Sequence, residues 1–310
     1  MDTLVPIRTR TPYDEGIFPA PPRLRRSPAA KRAIESAGFW ALRAVAYGIV
    51  LFVGWVAGDV ALHGAPVLGW EFLTAFPRRG GSEGGILPAI VGTLCLIAGT
   101  ALVALPLGMA SAVYLAEYAK QGRFTRVIRL SIVTLAGLPS IVFGLFGLGL
   151  FVVFLGFGTS ILAGSLTLAC MVLPTIIVAS EEALKAVPAS IREASLALGA
   201  TKWQTIWSHV LPCSIPGMIT GSILGIGRAA GETAPILLTA AAFYLRKLPS
   251  SVFDPVMALP YHLYVLSTQH PDMAKVRPLQ YGTALVLMLL VLGLSLGAIL
   301  WRSRLRRRLR

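Results

Sequence analysis

Arg228 and Glu232 are the residues of this chain best placed to do chemistry. They interrupt an otherwise apolar run from about Met218 to Phe243, long enough for a helix to cross a bilayer. A lone arginine at that depth costs about 2.5–3.5 kcal/mol, and a glutamate one turn later adds to it unless the two pair or share a polar cavity. On a helix, positions four apart lie on one face, so Gly217, Gly221 and Gly225 fall on the side that carries Arg228 and Glu232, within a sector of about 80°. Small residues at that spacing let another helix approach closely. The stripe therefore reads as a helix–helix contact holding one cation and one anion, and as a path for substrate. A structural ion pair locking two helices is the competing reading. Ionisable groups inside a membrane favour function.

Composition says what surrounds this stripe. The chain has 310 residues, of which 55% are hydrophobic and only 14% charged, where a soluble domain carries about 25%. It is read as an all-α integral membrane protein. A net charge of +14 would suit nucleic acid, but the basic residues flank apolar runs instead, as the positive-inside rule requires. No nucleic-acid partner is expected, and membrane lipid is the surrounding phase. Cys95, Cys170 and Cys213 sit in or beside apolar runs without metal spacing, and His63, His209, His262 and His270 are scattered, so no metal site is expected. No Gly-x-x-x-x-Gly-Lys-Ser/Thr is present to cradle ATP. Paired intramembrane aspartates or a Ser/His pair are also missing, which argues against an intramembrane enzyme and leaves no catalytic residue to name.

Six apolar spans follow from the pattern. Residues 1–37 are polar, basic and proline-rich, and read as a disordered tail without a signal peptide. The first span is 38–62. The core, 63–301, holds spans at about 86–118, 130–155, 161–180, 218–243 and 281–301, and a basic tail, 302–310, closes the chain. Pro106 interrupts the second span, Pro174 lies in the fourth, and Gly137-Leu138-Pro139-Ser140 predicts a kink in the third. With both termini on one side, that side carries 21 of the 28 lysines and arginines and the opposite loops carry 6. Both termini and the 181–212 loop are thus expected in the cytoplasm, and the 244–280 loop outside. No internal repeat is visible, so any symmetry must come from a second chain.

The 181–212 loop reads as two short helices hinged at Gly199, which suits a left-handed cap. Trp203, Ile206 and Trp207 are exposed on the second. Two uses fit this elbow equally: docking a partner, or resting on lipid headgroups.

Glu193-Ala194-Ser195, then Gly199, then Leu211-Pro212, resembles the EAA loop of bacterial ABC-importer permeases. Ser195 and His209 depart from the usual pattern. Three further stretches, Gly227 to Pro235, Gly137 to Gly144 and Leu259 to Tyr264, are similar to the phosphate-uptake permeases, and to their PstA-type subunit in particular. The Ala234-Pro235 that follows Gly-Glu-Thr separates it from the sibling PstC-type subunit, which usually has Met-Ala. The likeness runs from about Gly84 to Trp301.

That resemblance implies a type I ABC-importer permease fold in a bacterial cytoplasmic (inner) membrane. It implies a sibling PstC-type subunit, two copies of a cytoplasmic ATPase subunit that bind ATP and Mg, and a periplasmic or surface phosphate-binding protein. This chain itself would hold no cofactor. Glu193, Ala194, Gly199, Leu211 and Pro212 would form the ATPase-coupling elbow. Arg228 offers permanently charged planar donors for an oxyanion, Glu232 offsets that charge, and Thr233 and Ser140 are hydroxyl donors to the path. Thr233 has a second reading, a bond back to its own helix. A permease for molybdate, tungstate or sulfate is the alternative.

Overall fold

A computed structural model describes residues 28–308. Among these, helix is the dominant element. Helix α1, Pro28–Gly64, opens on a proline, which suits a first turn, and continues through Ala29, Ala30, Lys31 and Arg32, residues of good helix propensity. The last ten residues of the expected disordered tail are therefore helical, and the rest of that expectation, like residues 309–310, lies outside the described residues. The segment to Gly58 forms one compact unit and Asp59 onward another. In the first, apolar side chains such as Leu51 and Trp55 are exposed, as suits a lipid-facing span.

In the second unit the end of α1 is followed by a short helix, α2 (Trp70–Thr74), and a hairpin of β1 (Pro77–Arg78) and β2 (Glu83–Gly84). Helix α3, Leu87–Val113, continues through a wider turn to Tyr118. The third apolar run is two pieces, α4 (Arg123–Ala136) and α5 (Ser140–Gly147, prolonged to Phe154), bent by 104°. Pro139 adopts an extended ψ of 139°, so the expected kink is a full break. Helix α6, Ile161–Lys185, is capped by Ser160, whose Oγ accepts the Ala163 N–H at 3.2 Å. It therefore runs into the segment expected to be loop.

Next come α7 (Ala189–Ala197) and α8 (Lys202–Thr205), and α8 passes through a wider turn into α9 (Leu211–Gly231). Helix α9 stops where the sequence reading had carried a helix on to Phe243. Pro235 has no N–H for the Gly231 carbonyl and its ring would collide with it, so Glu232 turns extended (ψ 135°) and a short α10 (Ala234–Thr239) restarts. After a segment without helix, 240–258, come α11 (Leu259–Thr268) and α12 (Met273–Arg308). The last is longer at both ends than the 281–301 span, and its helix takes in most of the expected tail.

Among the described residues five helices are long and apolar enough to cross a membrane, or six if the bent α4–α5 pair is one span. In lipid, apolar contact gives no net drive to helix association, so close packing and small residues must hold the bundle. Helix α6 is the hub, packed by α3 on one side and α9 on another. Leu168, Val172 and Ile176 of α6 meet Leu96 and Ala104 of α3 and Ala229 of α9 in the main core. Polar groups within it are satisfied across helices: Ser165 Oγ donates to the Leu96 carbonyl and Thr100 Oγ1 to the Ser165 carbonyl, each at 3.4 Å.

Candidate functional site

Helix α9 carries the site. Gly217 and Gly221 press against Ala183 and Ala179 of α6, and a Cβ at Gly217 would come within 2.7 Å of the Ala183 Cβ. A Cβ at Gly225 would sit 3.1 Å from Ile176. These glycines thus make the α6–α9 contact within this chain, which a second chain was not needed to explain. The same helix face also forms the floor of an open groove of about 780 Å³, with Gly217, Thr220, Gly221, Leu224, Gly227 and Arg228 along it. Ala179 and Glu182 of α6 form one wall; Val291, Ser295, Ile299 and Arg302 of α12 form the other.

Arg228 stands in the last turn of α9, where a cation suits the helix dipole. Its Nε donates to Glu232 Oε1 at 3.3 Å, the arginine side chain being 45% exposed and the glutamate 16%. Among the described residues both Nη groups are uncommitted, so the guanidinium keeps two amino groups, four N–H donors in all, on a side chain that lines the groove. Glu232 reaches it from the extended linker between α9 and α10, so the pair is four residues apart yet not held by a shared helix. An anion arriving at Arg228 therefore needs to displace one long bond only.

Thr233 and Ser140 do not line that groove. Thr233 lies in the break at 232–233 and Ser140 just after the break at 137–139, which α5–α10 packing brings together: a Cβ at Gly144 would be 3.0 Å from Pro235 Cα. Ser140 is one turn before Gly144 on the same face of α5. Neither hydroxyl makes a hydrogen bond among the described residues, so Thr233 does not bond back to its helix. Thr220, Ser295, Glu182 and Arg302 are the groove's polar residues that the sequence reading passed over. Thr220 and Ser295 are single polar residues in apolar helices, Glu182 falls within the expected 181–212 loop, and Arg302 within the expected tail.

The elbow is built from local rules. Gly199 has φ +84°, a conformation only glycine adopts freely, and its N–H bonds the Leu196 carbonyl at 3.0 Å. Thr201 and Gln204 then form a reciprocal capping box that starts α8. Ser195 is buried, and its Oγ lies 2.9 Å from Thr205 Oγ1; the departure from Glu-Ala-Ala is thus a bond pinning α7 to α8. His209 is exposed and disturbs no packing. Glu193 and Ala194 are exposed, Leu198 is 90% exposed, and Trp203 stacks on Trp207 in the open with ring centroids 5.5 Å apart, whereas Ile206, expected to be exposed beside them, is turned inward and buried. Leu211 and Pro212, half-buried, sit where the elbow becomes α9.

Arg192 fastens the elbow to the bundle. Its Nη2 and Nε donate to Glu117 Oε1 at 2.7 and 3.3 Å, its Nη1 to the Val187 carbonyl at 2.7 Å, and Nη2 also to the Leu184 carbonyl at 2.9 Å. Beside it Glu181, nearly buried, meets Arg129 at 2.9 Å and Lys185 at 3.0 Å. At the far end of the bundle, His262 is buried against Phe243 with Nδ1 unpartnered, and desolvation pushes its pKa down to about 4.

A groove headed by a half-exposed guanidinium, on a helix continuous with an exposed elbow, in a bundle of broken and glycine-packed spans, is the build of a transport subunit. Residues 104–310 match the family described as "Binding-protein-dependent transport system inner membrane component", and the chain belongs to that family. It is a multi-pass membrane protein.

Among curated proteins, the chain is 40% identical over 222 residues to the phosphate transport system permease protein PstA 1 of Mycobacterium tuberculosis, covering 71% of each. It is 42% identical over 214 residues to PstA of Mycobacterium leprae, covering 69% of each. The probable ABC transporter permease YqgI of Bacillus subtilis is 34% identical over 252 residues, 77% of this chain and 85% of that one. In fold it is similar to a chain of the MetNI methionine ABC transporter (TM-score 0.58, 17% identity, 71% of this chain and 97% of that one). A chain of a bacterial alginate ABC importer is also similar (TM-score 0.61, 14% identity, 88% and 99%).

Proposed function

We propose that this chain is a transmembrane subunit of an ATP-driven importer of inorganic phosphate in a bacterial cytoplasmic membrane. It forms half of the translocation path, opposite a sibling PstC-type subunit. The observation that carries this reading is the Arg228 guanidinium: half exposed at the head of an open groove, held by one 3.3 Å bond to Glu232. Phosphate presents several charged oxygens, which a fork of free N–H donors matches. Glu232 keeps the cation from trapping the anion by taking the arginine back once the path is empty. The similarity to PstA subunits supports phosphate as the cargo.

Through Leu198, Trp203 and Trp207 the Gly199 elbow would seat in a cleft of a cytoplasmic ATPase subunit, one of two copies, which binds ATP and Mg. Because α8 runs on into α9, a tilt of the seated elbow would reach Arg228 along one helix. A phosphate-binding protein would deliver its cargo to the outer segment around Leu248 to Tyr264. The test is labelled phosphate uptake into proteoliposomes holding the whole complex and the binding protein. Uptake should need ATP and survive excess sulfate, molybdate or tungstate. Suppression by one of those anions at concentrations equal to phosphate would assign the path to that oxyanion instead.

A further inference from the structure

The groove over α9 has polar groups at both ends, and the reading above uses only the Arg228 end. At the elbow end Arg302 of α12 turns into the groove, and its Nη1 donates to Thr220 Oγ1 at 2.6 Å. An arginine ending a span ordinarily stretches toward the headgroups, as exposed Arg304 is free to do. Arg302 is instead half-buried across a helix interface, with Nε and Nη2 uncommitted among the described residues. Between the two ends Ser295 stands beside Gly227, its Oγ 3.7 Å from where a Cβ would be. Thr220 and Arg228 are eight residues apart on one helix, about 12 Å, too far for one small anion to sit in both places.

Each arginine also has a carboxylate nearby: Glu232 at Arg228, and at Arg302 the exposed Glu182 on the facing wall, itself 3.6 Å from Lys185. A cation tempered by an anion holds an oxyanion loosely, which a path needs at every stop.

We infer that Arg302 and Thr220 form a second anion station, at the exit end of the groove, which takes a tetrahedral oxyanion of the phosphate class after Arg228 and lets it go to the cytoplasm. This rests on the transport reading above. In the assembled complex, with Cys95, Cys170 and Cys213 replaced by alanine, Thr220→Cys is treated with a sulfonate-bearing and a trimethylammonium-bearing thiosulfonate reagent. Both should react, the anionic one faster. Arg302→Gln should lower the anionic-to-cationic rate ratio by about tenfold, and Arg302→Lys should preserve it. Silence toward both reagents, or a ratio indifferent to Arg302→Gln, would overturn the station. With the native cysteines, Arg302→Gln should lower maximal phosphate uptake about tenfold while the concentration of binding protein giving half-maximal uptake holds; unchanged maximal uptake would also overturn it. If the transport reading itself is wrong, the parent complex takes up no phosphate; if only the station is wrong, parent and Arg302→Gln transport alike.

Discussion

Removing Arg192 should loosen the elbow from the bundle. The arginine side chain is 24% exposed and Glu117 is 10% exposed, so Arg192→Ala strands a nearly buried carboxylate and strips donors from the Val187 and Leu184 carbonyls. Breaking a fully buried pair costs about 3–5 kcal/mol. Partial access of water at this end of the bundle brings the expected loss to about 2–3 kcal/mol. In a helical protein of this size that lowers the unfolding midpoint by about 5 °C, read by intrinsic fluorescence in detergent. Glu117→Leu combined with Arg192→Leu removes both charges and should recover the part of the loss owed to the stranded carboxylate, since a paired apolar replacement leaves no uncompensated charge, while the Val187 and Leu184 carbonyls stay without their donors. The same variants report on coupling: Arg192→Ala should hydrolyse ATP in the complex with less phosphate moved per ATP. Single variants that melt with the parent, or a double variant worse than the sum of the singles, would refute the clamp.

Three other perturbations have definite expectations. Gly221→Leu puts a side chain where Ala179 already stands, and should abolish recovery of an intact complex, whereas the same change at Gly69, which has open space around it, should be tolerated. Gly199→Ala meets no neighbour but is forced into φ +84°, costing about 1 kcal/mol; Gly199→Asn should cost less, and the ATPase rate stimulated by binding protein should rank glycine, asparagine, alanine. His262 has a folded pKa near 4 against an ordinary 6.5. The unfolded chain therefore takes up the proton first, and stability is level above about pH 6.5 and falls toward pH 4, by about 3 kcal/mol in all. His262→Gln should flatten that limb of the midpoint-against-pH curve; an unchanged slope would reject the assignment.

How much of this was legible in the sequence depends on how local the cause is. Gly199 obeys a rule spanning a few residues, and the elbow followed from it; the Thr201–Gln204 box is just as local but was not read. Arg228 and Glu232 stood out because charge is costly in an apolar run. The end of α9 was legible too, through Pro235, but reading the run by hydropathy alone hid it and placed Glu232 on the helix. The break at Pro139 was visible as a kink, yet its 104° bend comes from α5 lying on α10, a contact no local pattern records. Likewise, the glycine stripe announced a close approach without saying to which helix, and α6 proved to be the partner. Arg302 was invisible as a groove residue because the arginines after it mark an end of the membrane, and only the fold shows that this one turns back to Thr220.

Labelled phosphate uptake by the reconstituted complex carrying Arg228→Ala, with ATPase activity followed in the same vesicles, bears most directly on the path. Removing the two free amino groups should cut uptake by at least about a hundredfold, corresponding to the loss of a charge-assisted anion contact of about 3 kcal/mol, while the complex assembles as before. Uptake at the parental rate in that variant would show that phosphate does not pass Arg228.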